Sequence, residues 1–135
     1  MNLSNKSQIL YNYKYNQSDC ILRKGQYGIK SMSFGRLTVK QITFLENMII
    51  KISKKIINSK KSVKIWNKVV LNFNLTKLSS ESRMGKGKGS VYTQGVFIKP
   101  GKILFELESC LEQQAQYIVS KINNYCSLKL VLIKR

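Results

Sequence analysis

The sequence predicts an α+β domain in which two helices pack on one face of a largely antiparallel or mixed sheet, with a long basic glycine-rich loop. Three observations lead there. Two segments, 38–58 and 109–124, carry apolar residues at helical spacing behind polar cap signals. Several short segments alternate apolar and polar residues with the period of a strand. Between two of those strands runs Arg83-Met84-Gly85-Lys86-Gly87-Lys88-Gly89-Ser90, in which glycine and lysine alternate.

Residues 1–26 form an extended arm by this reading, Asn-rich and without helical periodicity, and 27–135 form one domain. From Tyr27, Ile29, Ser31 and Ser33 alternate with Lys30, Met32 and Phe34 in a short strand that ends at Gly35. Thr38 and Gln41 make a capping box, a hydroxyl and an amide each satisfying an orphan backbone N–H. The helix it opens carries the stripe Ile42, Leu45, Ile49, Ile52 and Ile56 and closes at Asn58 and Ser59.

From 62 to 73 the period changes to two. Val63, Ile65, Val69, Leu71 and Phe73 alternate with Lys64, Lys68 and Asn72, which gives one half-buried strand with a basic outer face. Trp66 falls on the outer parity, where it covers the sheet edge or stacks on a base. After the loop, 91–98 and 103–107 form the arms of a hairpin around Lys99-Pro100-Gly101-Lys102. There Pro fixes φ at the second turn position and Gly supplies a positive φ at the third. Ser109 and Glu112 make a second capping box ahead of Leu111, Ala115, Ile118 and Ile122, and Asn123 and Asn124 close that helix. Leu128, Leu130 and Leu132 lie on one parity of a last strand.

Charge selects the partner. The 135 residues hold 24 Lys plus Arg against 6 Asp plus Glu, a net charge of +18. So many positives on a small domain repel one another until a polyanion neutralises them, and nucleic acid is the commonest such polyanion. At 43% hydrophobic residues the chain is no disordered basic tail. Without His it has no Ser-His-Asp triad and no imidazole metal site. Glu106 and Glu108, the one close acidic pair, are expected to point out of a strand. The sequence therefore predicts no enzyme, no cofactor and no metal. Cys20, Cys110 and Cys126 lack C-x-x-C spacing and read as reduced, partly buried thiols. No run approaches the ~18 apolar residues of a membrane span. Residues 1–20 show neither a secretory h-region nor a transit-peptide face, so the chain is expected to be made where it works or to have lost a leader. The excess of Lys over Arg, with abundant Asn, Ile and Tyr, fits an AT-rich genome.

The loop carries the functional signal. Glycine lets the backbone approach a phosphate-sugar surface, lysine supplies mobile charge, and successive N–H groups can form an anion-binding nest. Arg83 can fork onto a phosphate or a guanine edge. A P-loop is excluded because Gly89-Ser90 lacks the intervening Lys. A dinucleotide fingerprint would need glycine where Ser90 stands.

The ordered motifs together resemble the large-subunit ribosomal protein L-sixteen family. They are Tyr27-Gly28-Ile29-Lys30, the run Phe34-Gly35-Arg36-Leu37-Thr38-Val39-Lys40-Gln41-Ile42, Lys64-Ile65-Trp66, the loop 83–89, and 96–106 with Lys99-Pro100-Gly101-Lys102 and Phe105-Glu106. They span 27–134. The resemblance implies a protein at the base of the central protuberance, packed on large-subunit rRNA among neighbouring ribosomal proteins. Its glycine-rich loop would point toward the tRNA acceptor arms near the peptidyl-transferase centre. It places Arg83, Met84, Lys86 and Lys88 nearest tRNA and rRNA, with Gly85, Gly87 and Gly89 as the loop backbone. It also assigns rRNA contact to Lys30, Arg36, Arg23 and Lys24, and Lys64 belongs to the same basic set. Residues 1–22 depart from the family's usual Arg-, Lys- and His-dense opening. With the AT-type bias, that departure points to an organellar ribosome, the mitochondrion ahead of the plastid. The expected partners are thus rRNA, the tRNA acceptor arm and neighbouring ribosomal proteins, with no membrane and no homo-oligomer. The alternative is a free-standing RNA-binding or ribosome-assembly factor of the same fold.

Overall fold

The computed structural model describes residues 17–56, 63–85 and 87–135. A 3-10 turn, Gln17–Cys20, precedes β1 (Tyr27–Ser31), β2 (Gly35–Thr38), α1 (Val39–Ile56), β3 (Lys64–Asn67), β4 (Phe73–Lys77), β5 (Ser90–Ile98), β6 (Ile103–Glu108), α2 (Glu112–Asn123) and β7 (Leu130–Lys134). The α+β class is as the sequence predicts. The strands, however, divide into two antiparallel sheets, β3-β6-β1-β7 and β2-β5-β4, where one was expected.

Four connections pass from one sheet to the other; α1 is one, and each of the other three accounts for a departure from the sequence reading. The first strand stops at Ser31, and a second, β2, begins at Gly35 in the smaller sheet. The run 62–73 is two strands, not one. Lys68 N–H still donates to Leu104 O (2.9 Å) beside β6, whereas Asn72 N–H donates to Gly95 O (3.2 Å) on β5. The segments 91–98 and 103–107 do not pair as a hairpin, because β5 lies between β2 and β4 while β6 lies between β3 and β1. The turn joining them is the expected one, with φ +89° at Gly101 and Lys102 N–H donating to Lys99 O (3.2 Å). It docks on the end of β1, where Gly101 N–H donates to Ser31 O (2.7 Å) and Ser31 N–H to Lys102 O (2.9 Å).

The helices cover one face of the four-stranded sheet. Ile29, Phe105 and Leu107 meet Ala115, Ile118 and Ile122 of α2 and Leu45 and Ile49 of α1 in one buried cluster. Each large aliphatic group so buried contributes roughly 1.5–3 kcal/mol. At the head of α1, Gln41 Oε1 accepts the Thr38 N–H (2.9 Å), which is one half of the expected box. The inward stripe of α1 runs Ile42, Leu45, Ile49 and then Ser53, whose hydroxyl donates to Ile50 O (2.9 Å). Ile52 and Ile56 are half-buried and pack against the margin of the core cluster. The expected stop at Asn58 and Ser59 lies outside the described residues.

The second capping box is displaced. α2 starts at Glu112, and it is the Leu111 N–H that Gln114 Oε1 accepts (3.0 Å). Ser109 instead takes φ +65°, turning the chain out of β6, and Leu111 is exposed rather than part of the stripe. The last strand begins two residues later than expected, at Leu130, where Asn123 at the end of α2 brackets it through Nδ2 to Leu130 O (2.9 Å) and Leu130 N–H to Oδ1 (2.8 Å).

Candidate nucleic-acid interface

The glycine-lysine loop is the tip of the β4–β5 hairpin, whose last paired residues are Lys77 and Ser90. Its neck is tight. A Cβ on Gly89 would lie 2.3 Å from Lys77 O, so only glycine lets the two strands approach there. Beyond the neck, Ser82 N–H donates to Ser79 O (3.1 Å) and the two serine hydroxyls lie 2.6 Å apart, closing a turn. At the tip Gly85 and Gly87 take φ of +83° and +89°, with no described atom within 4 Å of where a Cβ would sit. Arg83 and Lys88 are exposed, and Met84 is fully so at 101%. Lys86 lies outside the described residues. The tip offers backbone N–H groups, Arg83 and Lys88 with open space around the glycines, the chemistry an anionic backbone needs.

A second cationic surface lies on the four-stranded sheet, on the face away from the helices. Antiparallel register places Trp66 and Gly28 opposite Glu106 and Lys64 opposite Glu108, so these residues share that face, and Lys30 follows Gly28 at the next position of the same parity. The segment before β1 covers its middle. Leu22 packs on Gly28, where a Cβ would come within 2.5 Å of its Cδ2, and a Cβ on Gly25 would meet Leu107 O at 2.7 Å.

Glu106 fastens that segment. It does not point to solvent, as the sequence reading expected, but is 0% exposed. Its Oε2 accepts Lys24 N–H (2.7 Å) and Gly25 N–H (2.8 Å), and its Oε1 accepts Arg23 N–H (3.2 Å) and stands 2.7 Å from Lys68 Nζ. Burial favours the neutral carboxyl, but the Lys68 ammonium and the three N–H groups outweigh it and lower the pKa to about 2. Lys68 Nζ also donates to Ile21 O (3.2 Å), and Asp19 reaches Lys102 (3.8 Å). With the backbone held this way, the Arg23 and Lys24 side chains remain exposed.

The structure thus brings Arg23, Lys24, Lys30 and Lys64 to one face of the larger sheet. Lys64 is the most neutralised of them, 3.7 Å from Glu108. Arg36 stands apart on β2 of the smaller sheet, opposite Phe97, which stacks on Phe73 at 4.5 Å. Trp66 is half-buried on the edge strand β3. Sequence reasoning assigned no role to Lys68 and the wrong one to Glu106. The available signal was Ile103-Leu104-Phe105-Glu106-Leu107, apolar on both parities, as in a strand covered on both faces.

Among the described residues no cluster of three or more His, Cys, Asp or Glu could hold a metal ion, and no helix is long and apolar enough to cross a membrane. All three cysteines are thiols. Cys20 is exposed, contrary to the expectation of burial, while burial pushes the Cys110 and Cys126 thiols up.

A cationic α+β platform with an exposed glycine-lysine hairpin tip is the design of a ribosomal protein. The chain belongs to the family described as ribosomal protein L16p/L10e, whose model matches residues 4–131. It is 38% identical over 129 residues to the large ribosomal subunit protein uL16m of Chondrus crispus, covering 96% of this chain and 94% of that one. It is 36% identical over 110 residues to uL16 of Sulfurihydrogenibium sp., covering 82% and 75%, and 39% identical over 111 residues to uL16 of Psychrobacter arcticus, covering 82% and 77%. The family resemblance carried by the sequence motifs is correct.

Proposed function

We propose that this chain is a non-catalytic structural constituent of the large subunit of an organellar ribosome, the mitochondrial one. Residues 27–135 form its single domain and 1–26 its arm. Arg23, Lys24, Lys30, Lys64 and Arg36 bind large-subunit rRNA by neutralising phosphates, and the 83–89 tip contacts the tRNA acceptor arm near the peptidyl-transferase centre. The single observation that carries this reading is the hairpin tip. Its neck is fixed by Gly89 on Lys77, whereas at its end no described atom lies within 4 Å of where a Cβ on Gly85 or Gly87 would sit, and Met84 is fully exposed. A basic segment held out on a rigid hairpin serves a partner rather than the fold. The mitochondrial assignment is supported by the 38% identity to a protein named uL16m. rRNA is recognised through shape and phosphates, so no base-reading set is needed.

Ultraviolet crosslinking of intact ribosomes carrying bound tRNA tests the assignment. The expected product joins the peptide containing Arg83 and Met84 to tRNA. Crosslinks from that peptide to rRNA alone would remove the tRNA contact from the account.

A further inference from the structure

Between α1 and α2 runs a groove of about 610 Å³, floored by Met48, Ile52 and Ile56 and edged by Tyr117, Lys55 and Lys121. It continues past Tyr125 to a second hollow beside Phe44 and Lys40. Three aromatic rings stand half out of the protein here, Phe44 at 48%, Tyr117 at 49% and Tyr125 at 61% exposure. Clustered exposed apolar groups of this kind mark a binding surface rather than ordinary scatter.

The geometry points to this groove as the docking site of an acidic amphipathic helix from a neighbouring protein of the same subunit. The inference rests on the ribosomal reading above. Two observations choose the occupant. The first is charge: Lys40, Lys55 and Lys121 line the two hollows, with no acid among the lining residues. Glu112, at the start of α2, is engaged by Lys134 Nζ at 3.1 Å. The complementary surface is therefore apolar along its centre and acidic at its margins, the pattern of a helix laid in a groove.

The second observation counts against nucleic acid. A base stacks on an open ring face. Lys121 Nζ already stands 5.3 Å from the Tyr117 ring centroid, and Phe44 and Tyr125 meet edge to face at 6.2 Å and 64°, so one face of Tyr117 and one face within the Phe44–Tyr125 pair are already taken. The isoleucine and methionine floor offers a phosphate backbone no hydrogen-bond donor. It suits the apolar side chains that a protein helix brings at spacings of three and four residues.

Zero-length coupling of carboxylates to amines in purified large subunits tests the inference, with acetylation and ultraviolet irradiation of the same particles. The expected result couples Lys55 or Lys121 to an Asp or Glu of a second protein whose coupled peptide has apolar residues at helical spacing. Both lysines should also lose the acetylation they show in the released chain. Full acetylation of Lys55 and Lys121 in the particle, an rRNA adduct on Tyr117 or Tyr125, or coupling to a carboxylate of this chain would each overturn it. Peptides from 87–135 outside the groove report whether the chain is in the particle at all. Their absence contradicts the ribosomal reading and is distinct from an empty groove.

Discussion

Lys68 Nζ stands 2.7 Å from Glu106 Oε1 beneath the segment that carries Arg23 and Lys24. The pair joins the stretch leaving β3 to the middle of β6, and through the carboxylate it holds three consecutive backbone N–H groups. In a protein at +18, one of only 6 acids is used to fix backbone rather than to offset surface charge.

Removing Glu106 leaves Lys68 partly buried and three N–H groups without an acceptor. Glu106→Ala is expected to cost about 3–5 kcal/mol, the range for breaking one side of a buried pair. Urea unfolding in sulfate buffer, which screens the net charge, measures it. A loss below about 1 kcal/mol would mean that the segment is held by Leu22 and Gly25 alone.

The same carboxyl sets an acid limit. Its pKa falls from 4.5 to about 2 on folding, so its contribution is complete above pH 4.5 and is lost as pH drops toward 2. The loss amounts to roughly 3 kcal/mol at about 1.36 kcal/mol per unit. Unfolding free energy measured between pH 5 and 2 should fall in the parent, and Glu106→Gln should flatten part of that fall. Identical slopes in the two proteins would refute the assignment.

The glycines of the loop are not equivalent. Gly89→Ala forces a methyl group against Lys77 O, 2.3 Å from the ideal Cβ position, and is expected to open the hairpin neck and lower the melting temperature. Gly87→Ala meets no described atom and bears only the left-handed penalty of about 1–2 kcal/mol, which the exposed tip relieves by changing conformation. Equal melting shifts for the two variants would show that the neck is looser than described.

Arg83→Ala should leave circular dichroism and incorporation into large subunits unchanged while slowing peptide synthesis, because the side chain is exposed at the hairpin tip. A variant that unfolds or fails to assemble would make Arg83 part of the structure instead.

For the isolated domain, neutralising five phosphates through Arg23, Lys24, Lys30, Arg36 and Lys64 predicts a loss of rRNA affinity on the order of 10³-fold between 50 and 200 mM salt. Filter binding across that range measures the slope. A flat response would show that these cations do not carry binding.

Much of this was legible in the chain. Helical stripes at Ile42, Leu45 and Ile49 and at Ala115, Ile118 and Ile122 follow from periodicity, and the loop stands out by glycine-lysine alternation alone. The division into two sheets was not legible, because a strand that bends from one sheet into another keeps its parity. Val63 through Phe73 alternates across the break at 68–72, and parity says nothing about partners. Glu106 was hidden because alternation cannot tell a solvent-facing carboxylate from one covered by a distant arm. That arm is 81–83 residues away in sequence. Ser53 was missed because spacings of three and four both fit a helix locally; the 3.6-residue turn brings it inward beside Ile49, while Ile52 and Ile56 pack at the margin of the core.

The most direct measurement is sedimentation of the native protein from an organelle lysate on a sucrose gradient, with and without ribonuclease. A constituent of the large subunit runs with mature large subunits and monosomes and is released by digestion. Protein that stays at the top of the gradient, or runs only with precursor particles, would contradict the structural role and leave an assembly factor built on the same fold.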